Sequence, residues 1–150
     1  MGKKQKGFSL IELLIVVAII LIIAAIAIPN LLRSKMAANE ASAVGSLRSL
    51  NTACITYSTT YGSYPTSLAN LGPGSPATST TADLIDSVLA SGTKSGYSFT
   101  FAGGGATYSI TAIPVTVGTT GQRAFFTDQS GVIRANTSGA SPTATDPPIS

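Results

Sequence analysis

The strongest pattern in the chain is an apolar run near the N-terminus, from Phe8 to Ile28, which contains a single charged side chain, Glu12. At a rise of about 1.5 Å per residue, a helix of about 21 residues matches the ~30 Å hydrocarbon core of a bilayer. The run therefore predicts a membrane-spanning helix.

Pro29 follows this run directly. Proline has no backbone N–H and its ring crowds the preceding turn, so Ile28 is biased away from helical geometry. In membrane-spanning helices such prolines are tolerated and often produce only a bend. The sequence predicts a helix kink at Pro29, with local unwinding as the alternative.

Beyond Pro29 the pattern becomes one-sided, and the helix is predicted to continue to about residue 60. Apolar side chains recur at intervals of three and four residues, which places them on one helical face. These residues are Ala37, Ala41, Val44, Leu47, Leu50, Cys54 and Tyr57. Polar side chains such as Glu40 and Asn51 are predicted to lie mostly elsewhere around the helix. An amphipathic segment of this kind needs a folded layer against its apolar face.

The end of the helix is marked by Gly62 and Pro65, which prevent its continuation. Residues 61–95 are predicted to form a connecting αβ-loop, because glycine, proline, serine and threonine are frequent there. Within this loop, four apolar residues between Ala82 and Ala90 predict a short amphipathic helix.

From Gly96 the period of the pattern changes to two, which predicts strands. Apolar residues alternate with serine and threonine from Tyr97 to Phe101, the glycines at 103–105 provide a turn, and the return strand ends near Pro114. A second hairpin is predicted from Arg123 to Ala135, with its turn at residues 128–131.

The predicted fold class is α+β: a long N-terminal α-helix, with an apolar transmembrane half and an amphipathic half, packed on a small antiparallel β-sheet. The sheet, at residues 96–135, is named the head. Residues 136–150 are rich in serine, threonine, alanine and proline. They are predicted to form a flexible C-terminal tail that is either disordered or lies on the surface.

The charge of the chain is concentrated before the apolar run. Lys3, Lys4 and Lys6 account for the formal net charge of +3. The positive-inside tendency keeps these lysines in the cytoplasm and places the residues after Pro29 on the other side of the membrane. The remaining basic residues are scattered singly, so no direct nucleic-acid binding is predicted.

Glu12 is the residue that a membrane segment alone does not explain. A carboxylate inside hydrocarbon costs about 2.5 to 3.5 kcal/mol on insertion scales. A plain membrane anchor does not need one, and neither does a Sec signal peptide, for which Ala25-Ile26-Ala27 would be the cleavage site. The carboxylate therefore indicates a partner cation.

Such a cation arises if the chain is cut between Gly7 and Phe8, because the cut frees an α-amine with a pKa of about 8. Glu12 has two ways to meet this amine. Phe8 and Glu12 are four residues apart and share a face within one helix. In an assembly, the carboxylate of one chain can instead receive the amine of its neighbour. The residues alone leave both alternatives open.

The lysines at 3, 4 and 6, the sequence Gly7-Phe8-Ser9-Leu10-Ile11-Glu12 and the long apolar helix ending at Pro29 resemble the class III signal of type IV pilins and type II secretion pseudopilins. The resemblance implies cleavage between Gly7 and Phe8 by a prepilin peptidase, N-methylation of Phe8 and retention of the apolar helix. It also implies subunit assembly through Glu12 of one chain and the Phe8 amine of its neighbour.

With this resemblance, the predicted organisation has six parts. They are a cleaved basic leader at 1–7, a transmembrane and filament-core helix at 8–28, the amphipathic half at 29–60, the αβ-loop at 61–95, the head at 96–135 and the tail at 136–150. The implied partners are further copies of the chain in a helical filament, a prepilin peptidase and N-methyltransferase, an inner-membrane assembly platform, and the lipid bilayer before assembly.

Catalytic chemistry is not predicted, because the chain has no histidine and so lacks Ser-His and Cys-His pairs and histidine metal sites. The nearest paired carboxylates, Asp83 and Asp86, lie at a predicted helix start, where acidic residues are common. Asp128 and Asp146 are isolated, so neither a metal nor a cofactor is predicted. Cys54 is the single cysteine, so no intramolecular disulfide can form, unlike in pilins with a C-terminal disulfide. It is interpreted as a small buried hydrophobe.

The predicted function is that of a structural pilin subunit, held in the bacterial inner membrane and then polymerised into an extracellular type IV pilus. The alternative is a type II secretion pseudopilin in a periplasmic pseudopilus. A remoter alternative is a secreted binding domain with a removed Sec signal and a mature start near Asn30. Adhesion, motility, DNA uptake and secretion are all roles that fit the resemblance.

Overall fold

The computed structural model describes residues 2–149. They form two compact units that meet in the sequence between Ser34 and Lys35. One helix, α1 (Leu10–Tyr61), contributes residues to both units. The predicted long helix is confirmed, and it ends close to the predicted position.

In the first unit, α1 presents the apolar run without cover. The residues from Phe8 to Leu32 are exposed except for the half-buried Ala24. By length and composition, α1 is apolar enough to cross a membrane. Pro29 lies inside α1, and the helix continues through it without a break. The kink at Pro29 stays a prediction.

The second unit contains a five-stranded antiparallel sheet in which each strand pairs with the next one in the sequence. The strands are β1 (Thr93–Lys94), β2 (Tyr97–Gly104), β3 (Thr107–Pro114), β4 (Ala124–Asp128) and β5 (Arg134–Asn136). In the first hairpin Phe99 lies opposite Ala112, and in the second Phe125 lies opposite Ala135. Both predicted hairpins are confirmed. The prediction of four strands missed β1, which is too short to show a period.

The helix predicted from Ala82 to Ala90 is shorter in the structure, where α2 comprises Ser87–Ala90. The backbone before α2 makes hydrogen bonds to another segment and not within a helix. Ala82 N–H donates to the carbonyl of Asn70 at 2.8 Å, and Leu84 N–H donates to the carbonyl of Leu71 at 2.9 Å. These bonds tie the segment to a short 3-10 helix at Leu68–Leu71. Of the four apolar residues behind this prediction, Leu89 is buried, Leu84 and Ile85 are partly buried against the core, and Val88 is exposed. The spacing thus predicted three of the four core contacts but the wrong backbone conformation.

The core lies between one face of α1 and the sheet. The helix contributes Ala43, Leu47, Leu50, Ala53, Cys54 and Tyr57, and the strands contribute Tyr97, Phe99, Tyr108, Ile110, Ala112, Phe125 and Ala135. The predicted stripe is confirmed from Leu47 to Tyr57. Ala37 and Ala41 are exposed and Val44 is half-buried, because the layer that covers the stripe buries it only from residue 43 onward.

A buried polar cluster joins α1 to the sheet at Asn51. Its side-chain Nδ2 donates to Thr127 Oγ1 at 2.9 Å, and its Oδ1 accepts from the Tyr108 hydroxyl at 2.9 Å. All three residues are buried. The prediction that Asn51 faces away from the core was wrong, because helical spacing does not show that a strand supplies polar partners.

Replacement of Asn51 by alanine is expected to lower the free energy of unfolding by about 2 to 3 kcal/mol, since it leaves the Tyr108 and Thr127 hydroxyls buried without their partner. Thermal unfolding of the full chain in detergent, followed by near-ultraviolet circular dichroism, measures the change. Ser49→Ala, on the exposed side of the same helix, is the control and should shift stability by less than about 0.5 kcal/mol. Equal effects of the two substitutions would contradict the role of the cluster.

The tail lies along the last strand. Ala135 N–H donates to the Pro147 carbonyl at 3.0 Å, and Ile149 N–H donates to the Ile133 carbonyl at 2.9 Å. Ile149 also packs against the core. Of the two predicted alternatives, these bonds favour a tail that lies on the surface at residues 147–149, and the flexibility of the tail stays a prediction. Composition alone could not show the open edge of β5 that this segment covers.

Candidate functional site

The predicted cleavage site lies in backbone outside the helix. Gly7 and Phe8 are exposed, and α1 begins only at Leu10. A side-chain atom added at Gly7 would meet no other atom within 4 Å. The Gly7–Phe8 bond is therefore accessible in this conformation. Cleavage between these residues and N-methylation of Phe8 stay predictions.

Glu12 takes part in a reciprocal capping box with Ser9. Ser9 N–H donates to Glu12 Oε2 at 3.1 Å, and Glu12 N–H donates to Ser9 Oγ at 3.2 Å. The Ser9 carbonyl accepts the first bond of the helix, from Leu13 N–H at 3.2 Å. This arrangement satisfies donors that are otherwise unpaired at a helix start. The spacing Ser-x-x-Glu is present in the sequence, but the prediction of a cation partner for Glu12 did not include it.

The helix start bears on which of the two proposed partners, the amine of its own chain or that of a neighbour, Glu12 can meet. Phe8 precedes the helix, so in the described chain it does not share a helical face with Glu12. The residues before Phe8 are still attached, so its nitrogen is an amide and carries no positive charge. The structure thus does not bring Phe8 and Glu12 together within one chain. Pairing of Glu12 with the amine of a neighbouring chain stays a prediction.

The energies of capping and burial are of similar size. Insertion of a carboxylate into hydrocarbon costs about 2.5 to 3.5 kcal/mol. A hydrogen bond to a charged group contributes about 1.5 to 3 kcal/mol, and the positive end of the helix dipole adds about 0.3 to 1 kcal/mol. The position of Glu12 in the first helical turn therefore offsets much of the cost of an acid at the edge of an apolar segment.

Pro29 has no N–H to donate to the carbonyl of Ala25, one turn earlier in α1. That carbonyl lacks its usual helical partner, which makes this turn the least supported point of the apolar segment. The helix kink predicted at Pro29 would form at this turn.

In the second unit, Glu40 attaches the loop before β4 to α1. Its Oε1 accepts from the backbone N–H groups of Gln122 and Arg123 at 3.0 and 3.1 Å, and its Oε2 accepts from Arg123 Nε at 2.9 Å. Partial burial raises the pKa of Glu40, but the hydrogen bonds from Gln122 and Arg123 and the Arg123 charge lower it more. The net result is a pKa below the ordinary value for glutamate.

The lowered pKa gives a pH dependence with a definite sign. The ionised form is favoured in the folded state, so the stabilisation is present above the unfolded pKa of about 4.3 and is lost as the pH falls through the lower folded value. Glu40→Gln is expected to cost about 1 kcal/mol at pH 7 and progressively less in acid. Thermal unfolding of the full chain between pH 3 and pH 7 measures this. Asp83→Asn, at an exposed position, is the control, and a pH-independent cost of Glu40→Gln would contradict the prediction.

The other candidate carboxylates serve the backbone around them. Asp86 accepts from Leu89 N–H at 3.1 Å as the N-cap of α2 and lies 3.4 Å from Lys94 Nζ. Asp128 accepts from Ser130 N–H at 2.9 Å, and Asp146 accepts from Thr143 N–H at 2.7 Å. Asp83 is exposed, with a φ of 54°. Within residues 2–149, no group of three or more Asp, Glu or Cys side chains is placed to hold a metal ion.

Cys54 is buried in the core, which confirms its interpretation as a small hydrophobe. Burial raises the pKa of its thiol to about 12. The thiol is therefore protonated at neutral pH, and the reactive thiolate is not formed.

Comparison with known proteins finds one family model and several relatives that are similar to this chain. Residues 2–28 match the family model of the prokaryotic N-terminal methylation motif. The type IV wide pilus major component of Thermus thermophilus is 60% identical over 38 residues, which are 25% of this chain and 29% of the relative. The type IV major pilin protein of Myxococcus xanthus is 50% identical over 50 residues, 33% of this chain and 23% of the relative. Type II secretion system core protein G of Dickeya chrysanthemi is 32% identical over 72 residues, 48% of this chain and 47% of the relative.

The chain spans less than half the length of each of these three curated relatives. The homologues are therefore type IV pilins and type II secretion core protein G, matched over less than half of this chain. The chain thus shares the N-terminal methylation motif and sequence similarity with type IV pilins and type II secretion core protein G, and it combines them with a long helix and a small antiparallel sheet.

Proposed function

We propose that the protein is a pilin subunit that polymerises into a type IV pilus through its N-terminal helix. The observation that carries this proposal is the exposed apolar run of α1, which a single chain leaves without cover from Leu10 to Leu32. Contact of such a surface with water is unfavourable, so lipid or other apolar helices must cover it. In the membrane, lipid covers the apolar run; in the filament, the apolar helices of other subunits cover it.

The proposed maturation begins with residues 1–7 in the cytoplasm and α1 in the inner membrane. A prepilin peptidase cuts between Gly7 and Phe8, and N-methylation of Phe8 follows. The assembly platform then moves the subunit from lipid into the filament, an exchange of one apolar environment for another with a small net hydrophobic cost. In the filament, Glu12 pairs with the amine of a neighbouring copy and sets the axial offset between subunits.

The exposed side of α1 in the second unit supports packing against further helices. Thr52, Thr56 and Thr60 each donate their hydroxyl to the carbonyl four residues earlier, at 3.0 to 3.1 Å. Because these donors are satisfied within α1, another helix can cover this side without leaving them unpaired. The neighbouring Ile55 is 55% exposed and adds apolar surface.

The second candidate is a type II secretion pseudopilin that forms a periplasmic pseudopilus. It is favoured by the length of the match to core protein G, which covers 72 residues. The pilus is favoured by the higher identities, 60% and 50%, to pilus components. We choose the pilus because both of these higher identities are to components of pili.

A deletion strain separates these two candidates. Electron microscopy should show loss of surface fibres while exoprotein secretion continues; the opposite result would support the pseudopilus. Mass spectrometry of the mature N-terminus tests both against a secreted protein. A start at methylated Phe8 is expected, and a start near Asn30 would contradict assembly through α1.

A further inference from the structure

We propose that Ser9 is a positioning residue for Glu12, and that Glu12 holds two partners at once in the assembled filament. One carboxylate oxygen stays with Ser9 of its own chain, and the other receives the amine of the neighbouring subunit. This inference rests on the proposed function, since it concerns the same assembly carboxylate.

In the capping box, only one of the two carboxylate oxygens of Glu12 is used. Oε2 accepts the Ser9 N–H at 3.1 Å. Oε1 accepts no hydrogen bond from any residue in the described part of the chain, 2–149. A carboxylate has room for about four hydrogen-bond donors. Oε1 can therefore accept hydrogen bonds from an ammonium group while the capping box between Ser9 and Glu12 stays intact.

The capping box does not depend on cleavage. The Ser9 N–H belongs to the Phe8–Ser9 peptide bond, which remains intact when the chain is cut between Gly7 and Phe8. Ser9 thus partners Glu12 before the leader is removed, while the subunit waits in the bilayer, and after assembly. The same bonds restrict the rotamers of Glu12, so the neighbouring amine meets a carboxylate that is already oriented.

Two substitutions separate positioning from charge. Ser9→Ala removes the hydroxyl that accepts the Glu12 N–H, whereas Ser9→Thr keeps it, because serine and threonine both form this box. Glu12→Gln keeps the capping box, since glutamine also serves at this position, but removes the negative charge. The three variants therefore report on the hydroxyl, on its conservative replacement and on the charge.

The first measurement uses the full-length precursor in detergent micelles, without the peptidase. Amide hydrogen exchange of Glu12 is expected to become about fivefold faster in Ser9→Ala and to stay near the wild-type rate in Ser9→Thr and Glu12→Gln. The amide of Ile20, in the middle of the apolar run, is the internal control and should not change.

The second measurement is fibre yield per processed subunit, with processing checked by mass spectrometry. Ser9→Ala is expected to reduce the yield about fivefold, and Ser9→Thr should restore it. Unchanged Glu12 exchange in Ser9→Ala would overturn the proposal, and so would faster exchange with normal yield, because Ser9 would then cap the helix without serving assembly. Normal yield from Glu12→Gln would instead overturn charge pairing in the proposed function, while the Ser9 results would still test positioning by the box.

Discussion

Replacement of Glu12 by leucine is expected to reduce fibre yield at least about tenfold while membrane insertion and removal of the leader continue. The substitution removes the carboxylate that we propose pairs with the neighbouring amine, and a hydrogen bond to a charged group contributes about 1.5 to 3 kcal/mol, equivalent to a factor of about ten or more. It also makes the apolar run more hydrophobic, so insertion is not weakened. Quantification of sheared fibres, beside the amount of processed subunit, measures the effect.

The matched control for Glu12→Leu is Ile15→Leu, a volume-conserving change on the same exposed helix. It should form fibres at nearly the wild-type level. If Glu12→Leu also yields normal fibres, charge pairing does not set the register between subunits, and side-chain packing must do so.

Replacement of Gly7 by leucine is expected to abolish leader cleavage, with at least about a hundredfold loss of mature subunit. The loss corresponds to about 2.7 kcal/mol or more in the barrier to cleavage. A branched side chain beside the Gly7–Phe8 bond obstructs the close approach that glycine allows to a peptidase. The chain's own fold should not change, since nothing lies within 4 Å of the position where the side chain begins.

Gly2→Leu is the control for this second prediction, because Gly2 is the other glycine of the leader and is equally free of neighbours. Mass spectrometry of the membrane fraction should show uncut chains for Gly7→Leu and normal maturation for Gly2→Leu. Efficient cleavage of Gly7→Leu would show that the cut lies elsewhere. Failure of both variants would indicate that the leader is read as a whole.

The hairpins of the head could be predicted because each combines alternating apolar residues with a strong turn signal. In the first hairpin Gly104 is the last residue of β2 and Gly105 lies in the turn, and they have φ values of 138° and 65°, which other residues rarely adopt. The register then follows from the turn, with Gly104 opposite Thr107. Local backbone preference and burial agree there, so the sequence was sufficient.

The segment before α2 shows where periodicity fails. Leu84 and Ile85 pack against the core, as their spacing suggested, but Asp83 has a left-handed backbone that interrupts the helix. The backbone N–H groups of Leu84 and Ile85 both donate to the carbonyl of Leu71. Those partners lie more than ten residues away in the sequence, and no local pattern describes them.

Glu12 could be predicted as a site residue from the sequence, but its contact with Ser9 could not. Glu12 was recognised because a charge in an apolar run is costly, which requires no structure. Its hydrogen bonds to Ser9 depend on where the helix begins, and the structure places that start at Leu10, two residues after Phe8. The alternative of a pair within one helix assumed that Phe8 was already helical.

The sequence by itself determined the apolar half of α1, the class of signal that precedes it and the alternation of the strands, because each depends on the order of residue types over short distances. Only the tertiary structure decided that Asn51 is buried, that Glu40 holds the loop before β4 and that residues 147–149 cover β5. Each of these contacts joins polar groups distant in sequence, and a polar side chain is stable in the interior only when the fold brings it a partner.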